Sequence, residues 1–137
     1  MRLATAALLA ALAVAPGAAG CGGGGGREVP DGEQVAAVVR AFARATAAKD
    51  YARLCRDILS EQLVVRIQRA GVTCRDALRA GLQDVRDPHL AVGRIVVDGD
   101  AATAEVRTTA AGQAPSRDRL RLAREDGRWR IASLGGA

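Results

Sequence analysis

Residues 90–107 read LAVGRIVVDGDAATAEVR, and the fold turns on how this stretch is divided. Leu90 to Val97 is rich in branched residues, which suit a pleated, half-buried surface. Asp98-Gly99-Asp100 has the composition of a tight turn. Ala102, Ala104 and Val106 then alternate with Thr103, Glu105 and Arg107, the period of a strand with one face buried. The stretch is therefore read as a β-hairpin. Downstream, residues 108–116 hold Gly112 and Pro115 and form a longer connection. Leu120 and Leu122 alternate with Arg119 and Arg121, Glu125-Asp126-Gly127 turns the chain, and 128–134 forms a last strand with Trp129 and Ile131 on one face. That predicts four antiparallel strands.

Upstream of Pro88 the period is helical. Val35, Val38, Val39, Phe42 and Ala45 recur at spacings of three and four behind Asp31, a candidate cap. Glu33, Arg40 and Arg44 take the opposite side, so this helix presses one face on a core. Shorter helices follow over 51–59, with Tyr51, Leu54, Cys55 and Ile58 on one side, over 61–69 behind Ser60, and over 75–85 with Leu78, Leu82 and Val85 together. Helices first and strands second give an α+β domain, with the amino-terminal helices packed on a curved antiparallel four-stranded sheet.

The amino terminus is organised differently. Met1 and Arg2 lead into an apolar run from Leu3 to Val14, broken by Pro16 and Gly17 ahead of Ala18-Ala19-Gly20-Cys21. A positive end, an apolar middle and small residues are the parts of a secretory signal, and the middle is shorter than the roughly 20 residues that span a bilayer. Cysteine directly after the small residues resembles the lipobox of bacterial lipoproteins, with Ala18 where that pattern usually has leucine. The resemblance implies removal of residues 1–20, acylation of Cys21 and a lipid anchor on the extracytoplasmic face of a cell membrane. The five glycines at 22–26 read as part of a tether over 21–30, with an r.m.s. reach of about 12 Å.

Residues 31–137 then suffice for one domain. Of the three cysteines, lipid on Cys21 would leave Cys55 and Cys74, and an isolated pair in an exported protein is expected to be a disulfide. Neither zinc nor redox chemistry fits, because His89 is the only histidine and no Cys-x-x-Cys occurs.

Net charge over the 137 residues is +5. The bases are almost all arginine and alternate with acids, so composition alone assigns them no recognition role. With Phe42, Tyr51 and Trp129 as the only aromatics, there is too little stacking surface for a nucleic-acid partner. An attraction to anionic headgroups suits the charge of a tethered domain.

The helix around Val35 to Ala45, the Asp50-Tyr51 junction and the strand Gly127-Arg128-Trp129-Arg130-Ile131 together resemble the cystatin-like cone superfamily of SnoaL-like and nuclear-transport-factor-like domains. This covers roughly residues 31–134. The resemblance implies a half-open cone able to hold a small apolar molecule, often in a homodimer formed through the outer sheet face. Phe42, Tyr51, Arg94, Trp129 and Ile131 are the candidate lining residues. Arg94 is placed by alternation on the face of Leu90, Val92 and Val96, where it would meet an anionic ligand or reach solvent with its tip.

Enzymes of this superfamily that move protons between carbons place a carboxylate and a tyrosine, or an Asp-His pair, in the cone. No counterpart is evident here. His89 has Asp84 and Asp87 nearby in sequence but stands beside Pro88 at an element boundary, with no nucleophile or oxyanion donor at a recognisable spacing. No glycine-rich phosphate motif or other cofactor signature is present. The expectation is a non-enzymatic module that binds a small ligand or an envelope protein. The alternatives are an isomerase, dehydratase or hydrolase of the same fold, and an accessory subunit of an envelope complex.

Overall fold

The computed structural model describes residues 28–135. The signal expected at 1–20, the lipidated Cys21 and the glycines at 22–26 lie outside the described residues.

The first helix, α1 (Asp31–Ala47), begins after Pro30, whose φ of −54° suits a helix entrance but which offers no side-chain cap. Asp31 is thus the first helical residue and not its cap. Asp31 and Glu33 in the first turn and Arg44 in the last complement the helix dipole. Val35, Val39 and Ala45 are buried, and Val38 and Phe42 pack partly buried beside them. Lys49, with φ of +53°, then reverses the chain.

Asp50 accepts a bond from the Arg53 amide at 3.0 Å and opens α2 (Tyr51–Arg53). This helix widens at once into a π turn over Leu54–Ile58, where the Leu59 amide reaches back five residues to the Leu54 carbonyl at 2.9 Å. Leu54 and Ile58 face the core from this turn, and Leu59, in extended backbone just beyond it, is buried beside them. Ser60 caps α3 (Glu61–Arg69) through a 3.1 Å bond from the Leu63 amide. Gly71, at φ of +87°, turns the chain beyond it. Thr73 caps α4 (Cys74–Leu82) in the same way, accepting from Asp76 at 3.1 Å.

The sheet is an antiparallel meander in the order β1 (His89–Asp98), β2 (Ala101–Thr109), β3 (Ser116–Glu125) and β4 (Arg128–Leu134). The hairpin turn at Asp126-Gly127 has positive φ at both residues, 49° and 74°, which matches the strand twist. Between the pairs Val92/Val106 and Ile95/Ala104, two residues of β1, Gly93 and Arg94, oppose the single Glu105. This bulge flips the alternation: Ile95 and Val97 join Leu90 and Val92 against the core, while Val96 is exposed. A second bulge, at Ala132, separates the pairs Arg121/Ser133 and Leu122/Ile131.

One face of the sheet carries Ala102, Ala104, Val106, Leu120, Leu122, Trp129 and Ile131, all at most 5 % exposed, and α1 lies over it with Leu54, Ile58 and Leu59. Leu59 also bridges to Ile131 in parallel, and the Ser60 amide donates to the Ile131 carbonyl at 2.8 Å. That segment covers part of the β4 edge.

Candidate functional site

The disulfide joins Cys55 to Cys74 across a Cα separation of 6.0 Å. It ties the π turn to the start of α4 and holds the helical layer together beside the core. Tyr51, half-buried, lies under Arg79, whose guanidinium carbon is 5.8 Å from the ring centroid. Phe42 is half-buried against the core, and Trp129 and Ile131 are inside it at 4 % and 0 % exposure.

Arg94 does not share a face with Leu90 and Val92, because the bulge intervenes and leaves it exposed. His89 is exposed at the start of β1, opposite Thr109. No group of three or more His, Cys, Asp or Glu among the described residues is placed to hold a metal ion. No helix among them is long and apolar enough to cross a membrane.

The interior between α1 and the sheet is occupied by side chains. Alanines at 102 and 104 are short enough to let the valines of α1 close on β2, so the aromatic candidates pack against neighbours. Two clefts open elsewhere, and neither touches Phe42, Tyr51, Arg94, Trp129 or Ile131. The smaller, about 520 Å³, lies beside the disulfide between Arg56, Glu61, Glu125 and Arg130. Three of its polar side chains are engaged: Arg56 meets Asp57 at 3.1 Å, Arg130 donates to the Arg56 carbonyl at 2.9 Å, and Glu125 accepts from the Glu61 amide at 3.0 Å. The hydrogen bond from Arg56 holds the Asp57 carboxyl below its ordinary range.

The larger cleft, about 760 Å³, is on the outer face of the sheet. The β1 bulge and two small residues, Ala91 and Gly93, make its floor, while Glu105, Arg107, Arg117 and Arg119 stand around it. Pairing puts Ala91 beside Arg107 and Arg107 beside Arg117, with Glu105 opposite Arg119 in the next outward row. Gly93 allows a close approach here, because a Cβ would stand 3.3 Å from the Glu105 carbonyl oxygen, tighter than most such contacts. Arg119 reaches Glu105 at 3.9 Å. Asp118, also at the rim, accepts from the Ser116 hydroxyl at 2.8 Å.

Sequence reasoning missed this cluster. Its signal was present as arginines at every second position, 117, 119 and 121, on the polar face of one strand, but only the register brings Arg107 alongside.

The family described as "Putative lumazine-binding" matches residues 30–134. The chain belongs to that family. Solved structures agree on the fold. An NTF-2-like protein of unknown function from Silicibacter pomeroyi DSS-3 is 24 % identical, with a TM-score of 0.53 over 73 % of this chain and 88 % of its own. An NTF2-like protein of unknown function from Shewanella baltica OS155 is 17 % identical, with a TM-score of 0.53 over 73 % and 86 %. A de novo designed protein of the NTF2 fold is 15 % identical, with a TM-score of 0.53 over 77 % and 87 %. No curated protein matches. Membership in the lumazine-binding-type family and the NTF2-like fold thus rest on most of the domain.

Proposed function

We propose that this chain is an exported bacterial lipoprotein, anchored through acylated Cys21, whose NTF2-like domain is a non-enzymatic binding module working from the outer face of its sheet. The observation that carries the reading is the pairing of a filled interior with an open cleft of about 760 Å³ over Ala91 and Gly93. A site of that size suits a small molecule. The signal-like segment before Cys21 and the glycines after it support tethering near a membrane. The family's name adds a planar heterocycle, a lumazine, as a first compound to try; a flat ring would lie against the side-chain-poor floor with arginine planes beside it.

Native mass spectrometry of the full-length chain, extracted from membranes in neutral detergent and incubated with lumazine, tests both halves. The expected result is a diacylglyceryl mass that disappears in Cys21→Ser, together with a retained small molecule that is released unchanged. A chain without lipid overturns the anchoring, and a chemically altered ligand overturns the non-enzymatic reading.

A further inference from the structure

The outer cleft contains a pairing that folding alone does not favour. Arg107 on β2 and Arg117 on β3 stand directly opposite each other, a position in which like charges repel and destabilise the sheet. Neither makes an ion pair or a side-chain hydrogen bond among the described residues. The nearby acids do not relieve them: Glu105 faces Arg119 at 3.9 Å, and Asp118 is bound by Ser116 at 2.8 Å. Ala91, on the other side of Arg107, has no side chain long enough to fill the space.

We infer that Arg107 and Arg117 form a site for an oxyanion, a phosphoryl group or its close analogue, held between two guanidinium forks above the floor of Ala91 and Gly93. The inference rests on the outer cleft being the working surface and names the chemistry of its ligand. Guanidinium groups present parallel N–H donors that match two oxygens of one phosphoryl group, and such charge-assisted bonds are stronger than neutral ones. A bound phosphate anion between them sets an attraction to each arginine against the repulsion of the pair. The phosphoryl group has two sources, a soluble phosphate compound or the headgroup of an anionic lipid in the membrane that the tether would keep within reach.

The test uses the full-length chain in neutral detergent, with Trp129 fluorescence reporting thermal unfolding. One arm adds sodium pyrophosphate against sodium chloride at matched ionic strength. The other compares micelles doped with phosphatidylglycerol and with phosphatidylcholine. At saturation, the wild-type midpoint should rise by roughly 4 °C or more in at least one arm, and which arm responds identifies the source.

Arg107→Thr/Arg117→Thr should lose most of that rise and unfold no earlier than wild type without ligand, since the repulsion is gone. Arg40→Gln, on the exposed side of α1, should keep it. A general salting effect of pyrophosphate would persist in the double variant, and such persistence overturns the site. So does the absence of a rise in both arms. If the double variant does not fold, Arg107→Gln and Arg117→Gln singly should each reduce the rise by half or more, and unreduced rises overturn the site equally. Recovery of an uncharged ligand by native mass spectrometry, with no response to either anion, overturns the oxyanion site and leaves the binding module standing.

Discussion

The guanidinium carbon of Arg124 lies 4.6 Å from the centroid of the Trp129 ring, and the same guanidinium reaches Asp31 at 2.7 Å. Trp129 completes the triangle by donating its indole N–H to Asp31 at 3.3 Å. A cation over an aromatic face gains about 0.5–1 kcal/mol at an exposed position and more when desolvated. The first residue of α1 is thereby fastened to the β3–β4 hairpin. Arg124 Nε also lies 3.3 Å from Asp100, without hydrogen-bond geometry.

Asp31 makes this fastening sensitive to acid. The interaction with Arg124 holds its carboxyl below the ordinary value of 3.8; burial opposes this, and the hydrogen bond from Trp129 adds to the lowering. A carboxyl depressed in the folded state stabilises the protein above its unfolded value, and that stabilisation is lost as pH falls through the folded one. Asp31→Asn should therefore lower the unfolding midpoint at neutral pH, and the gap from wild type should close on acidification below about 4. Thermal unfolding followed by Trp129 fluorescence checks this, and a gap that stayed constant into strong acid would contradict it.

The disulfide should carry a sizeable part of the stability. Cys55 and Cys74 are 19 positions apart, and closing a loop of that length restricts the unfolded chain by about 3 kcal/mol in the chain-entropy model. Cys55→Ser/Cys74→Ser should lose stability on that order in urea titration. Reduction of the wild type should bring its curve to the same midpoint.

Ser60 holds two elements together. Its hydroxyl caps α3 while its amide bonds to Ile131 on β4, and the residue is 1 % exposed. Ser60→Ala keeps the amide bond and removes the cap, so a loss of roughly 1 kcal/mol is expected. Ser60→Gly should cost less, because glycine is itself accepted at a helix cap. Equal losses in the two variants would argue for packing over capping.

Gly93 should tolerate little. A Cβ there would stand 3.3 Å from backbone, which cannot swing aside as a side chain can. Gly93→Val should cost about 1–3 kcal/mol through overpacking, and it should also narrow the outer cleft. Denaturant unfolding measures the first effect, and loss of the retained small molecule in native mass spectrometry measures the second.

Elements whose burial follows a simple period were legible in the sequence. The valines of α1, the alternation of Ala102, Ala104 and Val106, and the cap at Ser60 each carry their signal within a few residues. Arg94 was misplaced because alternation assumes an unbroken register, and the bulge at Gly93 adds one residue to β1. Asp31 passed for a cap because its partners, Arg124 and Trp129, stand more than 90 positions away. The outer cleft was hidden for the same physical reason. Arg107 and Arg117 each look like ordinary solvent-facing charge on their own strand, and only cross-strand pairing makes them neighbours.

The contact between Asp31 and Trp129 spans 98 positions, and this has a consequence for how the chain acquires its structure. Synthesis produces α1 first, yet β4, which carries Trp129 and Ile131 into the core, comes last. The hairpins can pair locally and early, whereas closing α1 onto β4 carries the largest loop entropy in the domain. Val35 and Val39 can be partly covered by β1 and β2 as these emerge, but the core they belong to is complete only when β4 brings in Trp129 and Ile131. A nascent chain stopped short of Arg128 would lack the Trp129 and Ile131 side chains and leave that part of the apolar core open to solvent, a surface that chaperones and proteases can recognise.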